Sequence, residues 1–236
     1  MLSSSDHISR QFDAELEAIR AHVLQMGGLV ESQIKSAVES LISGDVALMT
    51  RVINDDRRVN GMEVKIDEAC SQVIALRQPA AGDLRLVMAV IKTITDLERI
   101  GDEAEKIARM AKLLSQKQGL AIPRYQEIKH AAELALDMLR KSLDAFARLD
   151  VVMAAQVVRQ DAQVDEEFRA IMRYLITFMM EDPRTISTSL EILFVAKAIE
   201  RIGDHAKNMS EYVIYMVKGR DVRHVDVDEI DREIEL

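Results

Sequence analysis

Tryptophan is absent from this sequence, aromatic residues make up only 4% of it, and the formal charge is −9 with no long basic run. Single-strand nucleic-acid binders rely on stacking aromatics and duplex binders on a basic stripe, so no nucleic-acid partner is expected. Cysteine occurs once, at Cys70, which excludes an internal disulfide framework. Within an apolar-periodic stretch, Cys70 reads as a small buried hydrophobe rather than a reactive thiol or ligand. No apolar run reaches the roughly 18 residues of a membrane-spanning helix, so no direct membrane insertion is expected. The opening Met1-Leu2-Ser3-Ser4-Ser5-Asp6-His7 lacks the basic and apolar regions of a signal peptide. A cytoplasmic chain is expected, reaching the inner membrane only through protein partners. Proline appears three times in 236 residues, and Ala, Leu, Ile, Met, Glu and Arg abound. Few breakers and many helix formers predict an all-α fold.

Glu98-Arg99-Ile100-Gly101-Asp102 recurs unchanged as Glu200-Arg201-Ile202-Gly203-Asp204. Each copy sets two carboxylates four residues apart, on one helix face and about 6 Å apart along its axis. Each also places glycine in a helix interior, at a cost of about 1 kcal/mol relative to alanine. A costly residue kept twice implies that another helix or a ligand approaches the backbone there.

Apolar spacing predicts helices over about Ser9–Ser43, Val46–Gln78, Leu84–Gln116, Arg124–Arg148, Val151–Met180 and Ile186–Val217. Val52, Val59, Ile66, Val73 and Leu76 are among the expected inward positions of the second. Gly27-Gly28 in the first marks a bend or a close crossing. Asp45, Asp83 and Asp150 are candidate N-caps. The third helix carries a seam of Val90, Ile94, Leu97, Gly101, Ala104, Ala108 and Ala111, spaced as in a coiled coil. Turns fall at Gly44, Pro79, Gly119 to Pro123, and Pro183. Long helix, long helix, proline turn, long helix occurs twice, which predicts a tandem repeat of two antiparallel three-helix bundles, elongated overall. The expected units are residues 8–118 and 119–220, followed by an acidic flexible tail over 221–236.

Antiparallel pairing brings Asp56 and Asn60 level with Glu98 and Asp102. In the second repeat it brings Asp161 and Asp165 level with Glu200 and Asp204. Clustered carboxylates repel unless neutralised. Arg99 and Arg201, a bound cation, or simple distance and solvent could each serve. Hard oxygen donors suit a divalent metal such as Mg, Ca, Mn or Fe. His205 has no counterpart in the first copy, where Glu103 stands, and reads as a surface residue.

Arg77-Gln78-Pro79, Asp83-Leu84-Arg85-Leu86-Val87 and Glu98-Arg99-Ile100-Gly101-Asp102 resemble the first repeat of the PhoU family. Met179-Met180-Glu181-Asp182, Ala198-Ile199-Glu200-Arg201-Ile202-Gly203-Asp204 and Tyr215-Met216-Val217-Lys218-Gly219 resemble the second. The likeness runs to about Gly219. It implies a non-catalytic regulator of phosphate uptake and a negative regulator of phosphate-starvation signalling. Its implied partners are the ATPase of the phosphate ABC transporter and a phosphate-sensing membrane histidine kinase, and a homodimer is expected. The family's Glu/Asp-x-x-x-Asp metal motifs fall on Asp56 with Asn60, Glu98 with Asp102, Asp161 with Asp165, and Glu200 with Asp204. Mg, Mn, Fe or Zn are the implied metals. Asn60 departs from the motif by carrying no charge, so the second site is expected to bind the more tightly.

Two other functions compete. A carboxylate-bridged di-iron enzyme needs Glu-x-x-His on two helices. One such pair occurs, Glu127 with His130, away from the acidic clusters. A purely structural helical tether is the third reading. No Gly-rich phosphate loop and no nucleophile–base pair stands out.

Overall fold

Six long helices build the chain: α1 (Arg10–Ser43), α2 (Val46–Arg77), α3 (Ala81–Ser115), α4 (Tyr125–Arg148), α5 (Val151–Glu181) and α6 (Ile186–Lys218). A 3-10 turn, Pro183–Thr185, precedes α6. The computed structural model describes residues 10–116 and 125–223, with 225, 229, 230 and 232. Among these residues there is no strand. The expected break at Gly119 and Pro123, and the first two residues of the expected first unit, lie outside the described residues.

Helix ends follow local chemistry. Asp45 accepts from the amides of Ala47 and Leu48, and Asp150 from those of Val152 and Met153, at 2.9–3.0 Å. These are the predicted N-caps of α2 and α5. Asp83 is not a cap. Ala80 holds that position without a side-chain bond, and Asp83 falls in the first turn of α3, where its charge still suits the helix dipole. Gly44 and Leu149 fill equivalent turns, both with left-handed backbone (φ 72° and 55°). A leucine there costs about 1–2 kcal/mol, against which it packs its side chain on the core.

Helices α1, α2 and α3 pack together, as do α4, α5 and α6. The two bundles meet mainly through α3 against α6 and α1 against α4. Each of these helices therefore lies beside its own counterpart. α3 and α6 run antiparallel: a Cβ on Gly219, just past α6, would touch the guanidinium of Arg85 near the start of α3 at 3.8 Å. At the other end Met110 and Leu113 of α3 share a groove with Ile186 and Leu190 of α6. The predicted α3 seam is buried throughout, and its alanines let neighbouring backbones come close.

Gly27 is also in a close crossing. A Cβ there would lie 2.5 Å from the tip of Leu143 on α4, whereas Gly28 faces open space. α1 continues as helix through both glycines. Cys70 is fully buried, and burial with the nearby Asp67 pushes its thiol up to about 12. One expectation needs correction: Leu76 does not face inward and is 74% exposed. Within the expected tail, the described residues Val222 and Ile230 are buried. Apolar residues too sparse to show a period still gain by returning to the core.

Candidate functional site

The repeated glycines are where the helices close. A Cβ on Gly101 would meet Val59 at 3.2 Å, and Asp56 Oδ1 and Gln33 Oε1 at 3.4 Å. A Cβ on Gly203 would meet Val164 at an ordinary 3.4 Å. The approaching group is thus a neighbouring helix, and the first repeat is the tighter of the two.

Around Gly101 the structure gathers the predicted first cluster. Asp56 is buried and accepts from Gln33 Nε2 at 3.3 Å and from Asn60 Nδ2 at 3.2 Å. Burial raises the pKa of Glu98, with Asp102, Glu63 and Asp56 adding repulsion and Arg99 partly relieving it. Burial and Asp56 likewise raise Asp102, which stands at the solvent edge of the cluster. Glu63 was not foreseen. Its carboxyl is raised by burial and by Asp67 and Asp102, against a hydrogen bond with Thr95. It lies on the same α2 face as Asp56 and Asn60, one turn beyond, so helical spacing could have revealed it. Gln33 on α1 could not be found that way, because only tertiary packing brings it here.

The second cluster is arranged differently. Asp161 is buried and takes a bond from Lys207 Nζ at 2.8 Å. Glu200 is buried under Lys197 Nζ, 2.5 and 2.6 Å from its two oxygens. Asp165 pairs with Arg169 at 3.1 Å. Asp204 is pushed up to about 6 by burial and by Glu200 and Asp161, against relief from Lys197. Lysines one turn from the motif therefore neutralise this repeat. The motif arginine does not, since Arg201 Nε reaches across to Glu103 on α3 at 3.1 Å.

His205 is not a surface residue. It is 5% exposed, and its Nδ1 lies 2.7 Å from Oδ1 of buried Asp96 on α3. Asn208 donates to the same oxygen at 3.3 Å. Nothing in the repeat pattern singles out Asp96, which the repeat register pairs with an alanine, Ala198.

The donors of the first cluster suit a hard divalent cation. Besides its carboxylates, the buried Asn60 Oδ1 and Gln33 Oε1 have no hydrogen-bond partner. In the second cluster ammonium groups are already bonded to Asp161 and Glu200, and a cation there would have to displace them. Among the described residues no three His, Cys, Asp or Glu side chains converge as a ready-made metal group. Glu127 and His130 also fail the di-iron pattern. His130 is exposed and lies 3.9 Å from Glu167. No helix among the described residues is long and apolar enough to cross a membrane.

The family description "PhoU domain" matches residues 23–111 and 128–213. The chain is 50% identical over 233 residues to the phosphate-specific transport system accessory protein PhoU of Escherichia coli (strain K12), covering 98% of this chain and 95% of that protein. It is 48% identical to the corresponding homolog of Pseudomonas aeruginosa, covering 99% and 96%. The crystal structure of PhoU from Pseudomonas aeruginosa superposes with a TM-score of 0.85, over 89% of this chain and all of that one. The phosphate transport system regulatory protein PhoU from Streptococcus pneumoniae gives 0.83 at 29% identity, over 89% and 99%.

Proposed function

The chain belongs to the PhoU family, and from that membership we infer that it is a regulatory accessory protein of phosphate transport. The observation that carries this reading is the match of both repeats to the family domain. We propose further that it acts as a non-catalytic cytoplasmic adaptor and homodimer. Its partners would be the ATPase of the phosphate importer and a phosphate-sensing histidine kinase, and it would restrain starvation signalling when phosphate is plentiful. An exposed apolar strip supports a docking role. Leu113, Ile186, Leu190 and Phe194 are each 41–50% exposed at one end of the α3–α6 pair. Apolar side chains grouped on a surface favour a protein contact.

Co-purification with tagged ATPase and tagged kinase, in high and in low phosphate, tests the adaptor reading. Capture of both in high phosphate is expected. Capture of neither, with the protein folded, would sink it.

A divalent cation, where bound, belongs on this reading to the first cluster. Asp56, Glu98 and Asp102 would supply charge, and Asn60 and Gln33 neutral oxygens. The cation would supply the positive charge that the lysines already give the second. This reverses the ranking expected from counting motif carboxylates.

A further inference from the structure

The two motifs lie in one chain and compare position by position. A Cβ on Gly101 would meet Val59 and Gln33, and one on Gly203 would meet Val164 and Met138. These neighbours occupy equivalent places, so the two repeats share a register here. Asp56, Glu63, Glu98 and Asp102 surround the first motif, and Asp161, Asp165, Glu200 and Asp204 the second. Both have the same number of carboxylates, so counting acids does not separate them.

The cations do. Lys197 Nζ lies 2.5 and 2.6 Å from the two oxygens of Glu200, and Lys207 Nζ lies 2.8 Å from Asp161. Arg169 holds Asp165 at 3.1 Å. In the first repeat the register puts Thr95 in the place of Lys197, Glu105 in that of Lys207 and Val64 in that of Arg169. None of these is a cation. Asp56, the counterpart of Asp161, accepts instead from the neutral amides of Gln33 and Asn60.

The oxygen donors differ in the opposite sense. Met138 replaces the amide of Gln33, and Phe168 replaces the carboxylate of Glu63. Lys197 Nζ lies 5.3 Å from the centre of the Phe168 ring, a placement that favours a cation. In the first repeat Glu63 and Thr95 hold these two places and hydrogen-bond to each other. An acid–hydroxyl pair between α2 and α3 is thus a ring–ammonium pair between α5 and α6. The difference involves both partners, so it does not come down to the rotamer of one lysine. An ammonium group neutralises a carboxylate and donates to it as well. A divalent ion entering the second motif would leave two ammonium groups beside it without their acceptors, and both repulsion and desolvation oppose that.

We propose that Lys197 and Lys207 are resident counter-ions that take the place of a metal at Glu200 and Asp161, and that they decide which of the two motifs holds a divalent cation. The second motif is then a metal motif closed from within, and removing the two charges should open it. The inference deepens the assignment of a cation to the first cluster. Its readout is the difference between variant and parent, so it stands or falls separately from what the parent binds.

The test is manganese binding by the purified full chain, with bound ions counted from the loss of the free-ion EPR signal. Lys197→Met combined with Lys207→Met should bind about one manganese ion per chain more than the parent, with Kd below about 0.1 mM. Adding Asp204→Ala to that variant should remove the gain, which places the extra ion in the second motif. Lys197→Arg combined with Lys207→Arg keeps the charges and should bind as the parent does. Thermal melting in EDTA checks that each variant is folded. Should the double methionine change not fold, Lys207→Met alone decides, and manganese should raise its melting temperature more than the parent's. The proposal is overturned if the folded methionine variant gains neither an ion nor this extra rise, or if the arginine pair gains as much. Release of a bound ion by Asp204→Ala in the parent would overturn it too, because the second motif would then already hold a metal.

Discussion

His205 Nδ1 lies 2.7 Å from Asp96 Oδ1, and both side chains are at least nine-tenths buried. The contact joins α6 of the second repeat to α3 of the first. Removing the carboxylate strands the buried His205 Nδ1 and takes an acceptor from half-buried Asn208. Asp96→Ala should therefore lower unfolding free energy by about 2–4 kcal/mol. Asp96→Asn, which keeps an acceptor, should lose clearly less. Urea unfolding of the two variants makes the comparison, and equal losses would mean that the hydrogen bond contributes nothing beyond packing.

The two motif glycines should respond differently to alanine. At Gly203 the new methyl finds ordinary contact, so Gly203→Ala should gain up to about 1 kcal/mol from helix propensity. At Gly101 it would press on buried Val59 at 3.2 Å, with Asp56 and Gln33, which are hydrogen-bonded to each other, directly behind at 3.4 Å. Gly101→Ala should be the less stable variant by thermal melting. Equal melting temperatures would show that the first repeat yields more easily than its contacts suggest.

Stability should rise as pH falls from neutrality towards about pH 5. Glu211 is raised from 4.5 to about 7, chiefly by burial, and Asp204 from 3.8 to about 6. Between those values the folded chain holds protons that the unfolded chain has released, so raising the pH favours unfolding. Glu63, Glu98 and Asp102 shift in the same direction. Below the ordinary carboxylate range the gain ends. There Asp221, held down to about 2 by its hydrogen bonds with Arg223, begins to lose its stabilising charge. Melting curves at constant ionic strength check the trend, and Glu211→Gln should flatten it.

Manganese should raise the melting temperature of the parent chain through the first cluster. Asp102→Ala should abolish that rise and Asp204→Ala should leave it. Glu63→Gln should reduce it, since ligand charge is a main determinant of affinity for a hard cation. A rise that survives Asp102→Ala and vanishes in Asp204→Ala would return the site to the second repeat.

Phe194→Asp should break co-purification with the transporter ATPase without changing stability, because Phe194 is half exposed. A central apolar anchor commonly carries at least about 2 kcal/mol of a protein contact. Unchanged capture would place docking elsewhere.

Much of this was legible in the sequence. Helices of 24–35 residues with strong periodicity, Asp caps and the duplicated motif left little freedom in the fold. The level-matching of Asp56 and Asn60 with Glu98 and Asp102 was also a consequence of antiparallel pairing. What stayed hidden depends on contacts between elements distant in the chain. Gln33 reaches Asp56 only because α1 packs beside α2 and α3. His205 looked superficial because its partner belongs to the other repeat. Lys197 and Lys207 were visible as charges, but which carboxylates they face depends on rotamers that spacing does not fix.

The pairing of α3 with α6 and of α1 with α4 has an evolutionary reading. A three-helix unit that meets its own copy through corresponding helices is arranged like a homodimer whose two chains have been fused after gene duplication. The register that lays Glu98 on Glu200 also lays Asp96 on Ala198 and His205 on Glu103. The acid–imidazole contact therefore exists once, where a true dyad would show it twice. The halves have become non-interchangeable, a heterodimer in one chain. A second copy of either half could not take the place of the other without leaving Asp96 or His205 buried and unmatched.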